Sequence, residues 1–306
     1  MLRKAFQNRY NAAAWSLPAA EGSADEGNIV LLLREVTVAG AEGEPDKGAF
    51  VRLEIDPHGH LMSETVVWRP ETGEIHLEDA RALPLPGGRV LIGLTAVLQE
   101  GKQFIPYPAV ATLSSPTWDS QFPPVDVIKQ FGPGKNMTPV DAGTFIFRPE
   151  GAVWNHKLLT VHWGSDRRER VGEITFPTNI PWASWRIGTT MPPRWITPAE
   201  ALLIIHGISI IEDKYVYSIG RAKLTREAQK FSVVVDPEPL VTPQQFRAED
   251  DDPLVAELHE KRRVVYACGG VEKRVDGRQV LALYVNVGDR RTVELLLEMN
   301  ELLRSW

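Results

Sequence analysis

One pattern of apolar and polar positions recurs five times along the chain. Each unit opens on a polar or small residue, runs through a short apolar strand and a turn, then closes with an almost wholly apolar strand ending in a polar residue. YNAAAWSL (Tyr10–Leu17) precedes IVLLLREV (Ile29–Val36), and EDARALPL (Glu78–Leu85) precedes RVLIGLTAV (Arg89–Val97). DAGTFIF (Asp141–Phe147) precedes KLLTVHW (Lys157–Trp163), and TTMPPRWI (Thr189–Ile196) precedes ALLIIHG (Ala201–Gly207). The fifth pair is VVYACGGV (Val264–Val271) with QVLALYVN (Gln279–Asn286). A further strand-like run follows each pair: AFVRLEI, YPAVATL, RVGEITF, YSIGRAKL and TVELLLEM. A continuous apolar strand reads as covered on both faces, as in the middle of a blade packed between its neighbours. The second strands stand about 45 to 78 residues apart, too irregular for a solenoid but suited to blades joined by unequal loops. The expected fold is all-β, a five-bladed β-propeller spanning residues 1–306 as one domain.

Helical signal is scarce. DPLVAELHEKRR (Asp252–Arg263) predicts a short helix capped by Asp252 with Pro253 in the first turn. The closing VELLLEMNELLRSW fits helix or strand by period, and its place in the repeat predicts a strand with a short tail. LPGGRV and DPHGH read as hairpin turns, the second in preference to a metal site at His58 and His60.

Composition narrows the partners. The chain is 43% hydrophobic and 24% charged, an ordinary globular balance that excludes disorder and fibrous repeats. A net charge of −6 argues against a general nucleic-acid face. The single Cys268 excludes an intramolecular disulfide framework and a Cys-rich zinc site. No apolar run approaches the roughly 20 residues of a membrane helix, and MLRKAFQNRY lacks the apolar region of a secretory signal. The expectation is a cytoplasmic protein with no nucleic-acid or membrane partner, its homo-oligomeric state left open.

In a propeller the innermost strands line a central channel, so their polar residues converge. Here these are Asn11, Asp79 with Arg81, Asp141, Arg194 and Tyr266, and the ends of the second strands add Arg34, His162, His206 and Asn286. Carboxylates, Arg, His, Asn and a chain rich in Trp suit carbohydrate chemistry better than a transition metal. Nine Trp supply rings that can pack a blade or stack on a sugar face. No P-loop, dinucleotide fingerprint, nucleophile elbow or zinc-helix motif is present. No metal or cofactor is expected.

IHLEDARALPL followed by LIGLTAV resembles the RIEDPR-type segment of glycoside hydrolase family 130, the β-mannoside phosphorylases and mannosidases. Other segments match that family in the same order: YNAAAW with LLLREV, KNMTPVDAG with FRPEG, TMPPRW with LLIIHGIS, YSIGRAKL with DPEPLVTP, and VVYACGG with YVNVGDRRT. The resemblance spans nearly the whole chain. It implies cleavage of a β-mannoside with inversion, Asp79 supplying the proton, which some members of the family relay through a sugar hydroxyl. A pocketed carboxyl whose pKa is raised by burial suits that role. Asp141 and Glu150 are the candidates for a second carboxylate that activates water. Asn11, Arg34, Arg81, Lys135, Arg148, His162, Trp163, Arg194, His206, Tyr217, Tyr266 and Asp289 fall where substrate contacts are expected.

Two departures from the family pattern matter. Ala80 replaces the proline of the ED-P-R segment, and Trp163 stands where phosphorylases place an Arg after His. The second arginine of the phosphate site aligns near Gly143 and Thr144, and the basic residue of the PPP segment falls on or beside Trp195. Phosphate favours arginine forks, so hydrolysis of a β-mannoside or related glycoside is the expected reaction. The alternative is phosphorolysis of a mannoside oligosaccharide by inorganic phosphate, releasing mannose 1-phosphate, with Arg148, Arg194 and Lys135 holding the anion. A second alternative is a non-catalytic sugar-binding propeller.

Overall fold

The computed structural model describes residues 2–7, 9–19, 26–38, 47–70, 75–164, 168–228, 230–249, 264–288 and 291–304. Its strands form five antiparallel blades. Strand β1 (Leu2–Gln7) belongs to the last blade, whereas β2 (Arg9–Ser16), β3 (Ile29–Val38), β4 (Lys47–Ile55) and β5 (Leu61–Trp68) make blade I. Blade II is β6 (Ile75–Pro84), β7 (Val90–Glu100), β8 (Gln103–Leu113) and β9 (Asp126–Val127). Blade III is β10 (Gly134–Pro139), β11 (Thr144–Pro149), β12 (Lys157–Trp163) and β13 (Arg168–Thr175). Blade IV has β14 (Arg186–Thr189) and β15 (Arg194–Trp195) end to end along β16 (Glu200–Ile211), then β17 (Lys214–Glu227) and β18 (Lys230–Val235). Blade V is β19 (Val265–Val275), β20 (Arg278–Val287), β21 (Arg291–Glu298) and the N-terminal β1, which pairs antiparallel with β21. That pairing closes the ring with strands from both ends of the chain. Among the described residues, a parallel pair, Arg9 with Arg291, joins blades V and I.

The apolar strands are explained by where the core sits. Buried side chains gather in five clusters, one at each junction between neighbouring blades. Trp15, Leu32 and Phe50 meet Ile92 and Trp118 between I and II, and Leu91 meets Met137, Phe147 and Trp163 between II and III. The other three junctions are filled in the same way. Middle strands are therefore covered on both faces, and the hydrophobic effect selects continuous apolar runs there. Close approach is also required: a Cβ on Gly93 would stand 2.2 Å from the Met137 carbonyl oxygen of the adjacent blade.

Two strand assignments need correction. In blade III the innermost strand is GKNMTP, so TFIFRP is second and KLLTVHW third. The short KNMTP segment carries little apolar signal because Lys135 and Asn136 line the cavity, which leaves Met137 to pack in the core between blades II and III. In blade IV the innermost position is shared by RIGT, of which only Thr189 belongs to the run TTMPPRWI, and by RW. The break between them holds Pro192 and Pro193, which cannot donate to a ladder. The chain's end combines both readings of its pattern: β21 runs to Glu298 and continues into a one-turn helix, α1 (Met299–Leu303). The helix predicted over 252–263 lies outside the described residues. The DPHGH turn joins β4 to β5, with the His60 ring 2.7 Å from Asp56.

Candidate active site

Three inner strands share a local irregularity that positions the site. Register slips between Tyr10 and Ala13 in β2, between Glu78 and Arg81 in β6, and between Lys135 and Thr138 in β10. Each slip holds one residue in the left-handed region: Asn11 at φ 56°, Asp79 at 55° and Asn136 at 63°. Asn and Asp tolerate this conformation better than other side chains with a Cβ. A bulge breaks the in–out alternation of a strand and re-aims the side chains around it. Here it turns polar groups of three adjacent blades toward one mouth of the channel.

A cavity of about 680 Å³ opens at that mouth, within the range of small-molecule sites. Asp79 lies at its floor, enclosed by protein yet open to the cavity on one side. Asn11 Nδ2 donates to Asp79 Oδ1 at 2.6 Å. Burial pushes the Asp79 carboxyl above the ordinary carboxylate range, with Arg81 opposing and Glu78 adding to the rise. Beneath it, fully buried Arg81 donates to the Asp79 carbonyl oxygen at 2.6 Å, to Asn136 Oδ1 at 3.0 Å, and to the Tyr266 hydroxyl. Tyr266 donates to Asn136 Oδ1 at 3.1 Å. This cluster fixes the Asp79 backbone in its bulge, and Arg81 holds the main chain rather than the carboxylate. Burial pushes the Tyr266 hydroxyl well above its usual value and the Cys268 thiol up to about 12, so both stay neutral. His206, 3.4 Å from Asn136 Nδ2, is held far below its usual value by burial and by Arg148 and Arg81, and is a neutral imidazole.

Two charged couples flank the floor. Glu78 meets Arg34 at 3.0 Å and Lys135 at 3.8 Å. Glu150 stands 3.9 Å from Arg148 and 3.7 Å from Arg186. On the rim of blade IV, Trp185 is sandwiched between Arg186, 4.5 Å from its ring, and Tyr215, stacked at 4.6 Å. The outer face of Tyr215 is open.

The cavity thus brings together Asp79, Glu150, Asn11, Arg34, Lys135, Arg148, His206, Tyr217 and Tyr266, with Arg81 directly below. Asn286, expected at the channel, lies behind the cavity wall, and four of the residues named for catalysis or substrate contact stand elsewhere. Asp141 caps the β10–β11 turn, accepting from the N–H groups of Gly143 and Thr144 at 3.1 and 2.8 Å and pairing with Arg226. Burial pushes its carboxyl up, but the Gly143, Arg226 and Thr144 donors outweigh that and hold it below the ordinary range. Trp163 is buried between blades II and III, its Nε1 donating to Asp126 Oδ2 at 3.0 Å and Arg168 lying 4.2 Å over its ring. His162, beside it on the third strand, packs its ring against Gly143. Both were placed one strand too close to the channel. Arg194 lines a second cavity farther along the inner strands, forked onto Glu272 with an Nη2–Oε2 distance of 2.8 Å. Asp289 lies outside the described residues. Sequence reasoning missed Glu78 as a cavity carboxylate, along with Asn136, Arg186, Trp185 and Tyr215. For Asn136 a signal existed, an Asx residue at the position in blade III that Asn11 and Asp79 hold in blades I and II.

Fold and cavity together define a five-bladed propeller with a protonatable carboxyl at one mouth of its channel. No family model and no curated protein matches the sequence. Solved structures do match its fold. One comes from work on the GH130 family of mannoside phosphorylases, which contains glycoside hydrolases that target β-1,2 mannosidic linkages in Candida mannan. It has a TM-score of 0.64 at 15% identity, covering 96% of this chain and 85% of that one. A glycosyl hydrolase from Bacteroides ovatus gives 0.63 at 17% identity, covering 96% and 85%. A third structure, from Parabacteroides distasonis ATCC 8503, gives 0.61 at 15%, covering 94% and 86%. The five-bladed propeller fold of glycoside hydrolases is the fold of this chain.

Proposed function

We propose that the protein is a carbohydrate-active enzyme of the family 130 type that cleaves a β-mannoside or related glycoside with inversion, Asp79 acting as general acid and water as nucleophile. The observation that carries this reading is the Asp79 carboxyl. It is held at the floor of a sugar-sized cavity, its proton affinity raised by burial, and one of its oxygens is engaged by Asn11. A departing sugar oxygen needs a proton as its C–O bond breaks, and an acid poised this way supplies it.

Of the two carboxylates named for activating water, Glu150 reaches the cavity and Asp141 does not, so Glu150 takes the role of base. Inversion requires its carboxyl about 6.5–9.5 Å from that of Asp79. The Tyr215 face at the rim suits a further sugar ring of the substrate. No metal or cofactor has a part in this scheme.

Phosphorolysis is the second reading, favoured by the four cationic side chains Arg34, Lys135, Arg148 and Arg186 around the cavity. Trp163 no longer weighs against it, because that side chain does not line the cavity. The charge pairing does: each of the four cations already faces Glu78 or Glu150 within 3.9 Å. A phosphate dianion would compete with two fixed carboxylates for them, whereas water and a neutral sugar would not. Incubation with β-mannobiose, with and without phosphate, tests the choice. Free mannose independent of phosphate supports hydrolysis, mannose 1-phosphate establishes phosphorolysis, and absence of turnover across β-mannosides removes the enzymatic reading.

A further inference from the structure

We infer that Asn286, a residue that does not line the cavity, is a positioning residue that decides which oxygen of Asp79 carries the transferable proton. The inference rests on Asp79 being the general acid. Asn286 lies on β20, the second strand of blade V, and is fully buried. Its Nδ2 donates to Asn11 Oδ1 at 3.2 Å, and Asn11 Nδ2 in turn donates to Asp79 Oδ1 at 2.6 Å. The three residues come from blades V, I and II, so the chain of hydrogen bonds crosses two blade junctions.

An amide has a donor end and an acceptor end, and rotation by 180° exchanges them. With Asn286 donating, the acceptor end of Asn11 is taken and its N–H must face Asp79. An Asp79 oxygen that accepts an N–H cannot also point a proton at it, so the proton resides on Oδ2. In the reaction the Oδ2–H bond breaks, the proton goes to the glycosidic oxygen, and that oxygen keeps the electron pair of the broken C–O bond. Asp79 is left as a carboxylate, and the Asn11 N–H donates to it more strongly as the charge develops. Were Asn11 reversed, its Oδ1 would accept the Asp79 proton. The acid would then be aimed away from the sugar and would hold its proton more tightly.

Asn286→Leu removes the donor while keeping bulk, and Asn286→Ala serves if the leucine variant does not fold. Turnover is compared on β-mannobiose, whose leaving sugar needs the proton, and on 4-nitrophenyl β-mannoside, whose leaving group hardly does. The expected result is a fall in kcat of about 10- to 100-fold on the disaccharide with KM retained, and less than about threefold on the aryl glycoside. Equal losses on both substrates, or no loss, would overturn the positioning role. If Asp79→Asn itself leaves disaccharide turnover intact, the assignment of the acid has failed instead. A measurement without substrate is the titration of the Asp79 carboxyl by 13C NMR in protein labelled at aspartate, its signal identified by absence from Asp79→Asn. Its midpoint should rise in the Asn286 variant, because Asn11 becomes free to accept the proton, and an unchanged midpoint overturns the inference.

Discussion

The same inner strands build two cavities of opposite character. At the first mouth stand Asn11, Glu78, Asp79, Asn136 and Tyr266 in a space of about 680 Å³. About five residues farther along β2, β6 and β19, or roughly 15 Å at strand rise, lies a second cavity of about 310 Å³. Its walls include Ala14, Ala82, Leu83, Leu202 and Leu281, with Arg194 and Glu272 as its charged pair. The backbone accounts for the difference. Near the second cavity the ladders run in regular register, Ala13 to Leu32 and Ala14 to Leu31 in blade I, Arg81 to Gly93 and Ala82 to Ile92 in blade II. Near the first, β2 and β6 each slip by a bulge held by a left-handed residue, Asn11 in one and Asp79 in the other. Regular pleating packs small and apolar side chains together, while the bulges gather polar groups that a regular strand would spread over both faces.

Disabling the polar end should cost activity and not fold. Asp79→Asn keeps the shape and the contact with Asn11 but removes the transferable proton. Turnover of an unactivated mannoside should fall by about 10²–10⁴-fold, read from initial rates, with an unchanged circular dichroism spectrum. Retained activity would place the acid elsewhere.

The apolar end should respond in the opposite sense. Leu202 is almost fully buried on β16, in the core between blades IV and V. Leu202→Ala should lower unfolding stability by about 2–5 kcal/mol, through lost burial and the void left behind. Denaturant unfolding measures that change. kcat/KM at a temperature where the variant is folded should stay at the level of the unmodified protein, and a parallel loss of activity would show the two ends to be coupled.

The same contrast explains what could be read in the sequence. Blade junctions were legible because burial on both faces leaves runs such as LIGLTAV and ALLIIHG. Asp79 was legible because it sits beside such a run, in a segment with a strong family likeness. The third blade was misread by one strand because KNMTP turns Lys135 and Asn136 to the cavity and offers only Met137 as an apolar mark. Trp163 was consequently moved inward, although it closes a strand that packs in the core. Arg186 and Tyr215 left no trace because they reach the cavity from strand starts, positions set by blade geometry and by no local period, and Glu78, inside β6, reaches it only because the register slips between Glu78 and Arg81. Asn136 was recoverable from its kinship with Asn11 and Asp79, which only alignment of the blades on their bulges reveals.

A smaller effect is expected at the rim. Tyr215 is 52% exposed, backed by Trp185 and in turn by Arg186. A sugar ring on its outer face should contribute about 0.5–1.5 kcal/mol. Tyr215→Ala should therefore raise KM for a trisaccharide about two- to tenfold with kcat little changed, and leave KM for an aryl mannoside as it was. Steady-state kinetics on the two substrates decide, and an equal rise on both would mean that the stack only supports the cavity wall.

The smallest effect concerns stability against pH, and it again sets one end against the other. Burial raises the folded Asp79 carboxyl above its unfolded value, which is near 3.9. The folded state therefore binds this proton more tightly than the unfolded chain does. Its contribution to stability is fully present below about pH 4 and is lost as pH rises through the folded value. Asparagine at this position cannot ionise, so Asp79→Asn escapes that loss. The stability difference between Asp79→Asn and the unmodified protein should move in favour of the variant from pH 4 to pH 8, measured by denaturant unfolding at each pH. Leu202→Ala introduces and removes no titrating group, so its difference from the unmodified protein should stay flat across the same range. Parallel curves for Asp79→Asn would show that its carboxyl ionises as freely in the folded protein as in the unfolded chain, and the acid proposed for the polar mouth would lose its physical basis.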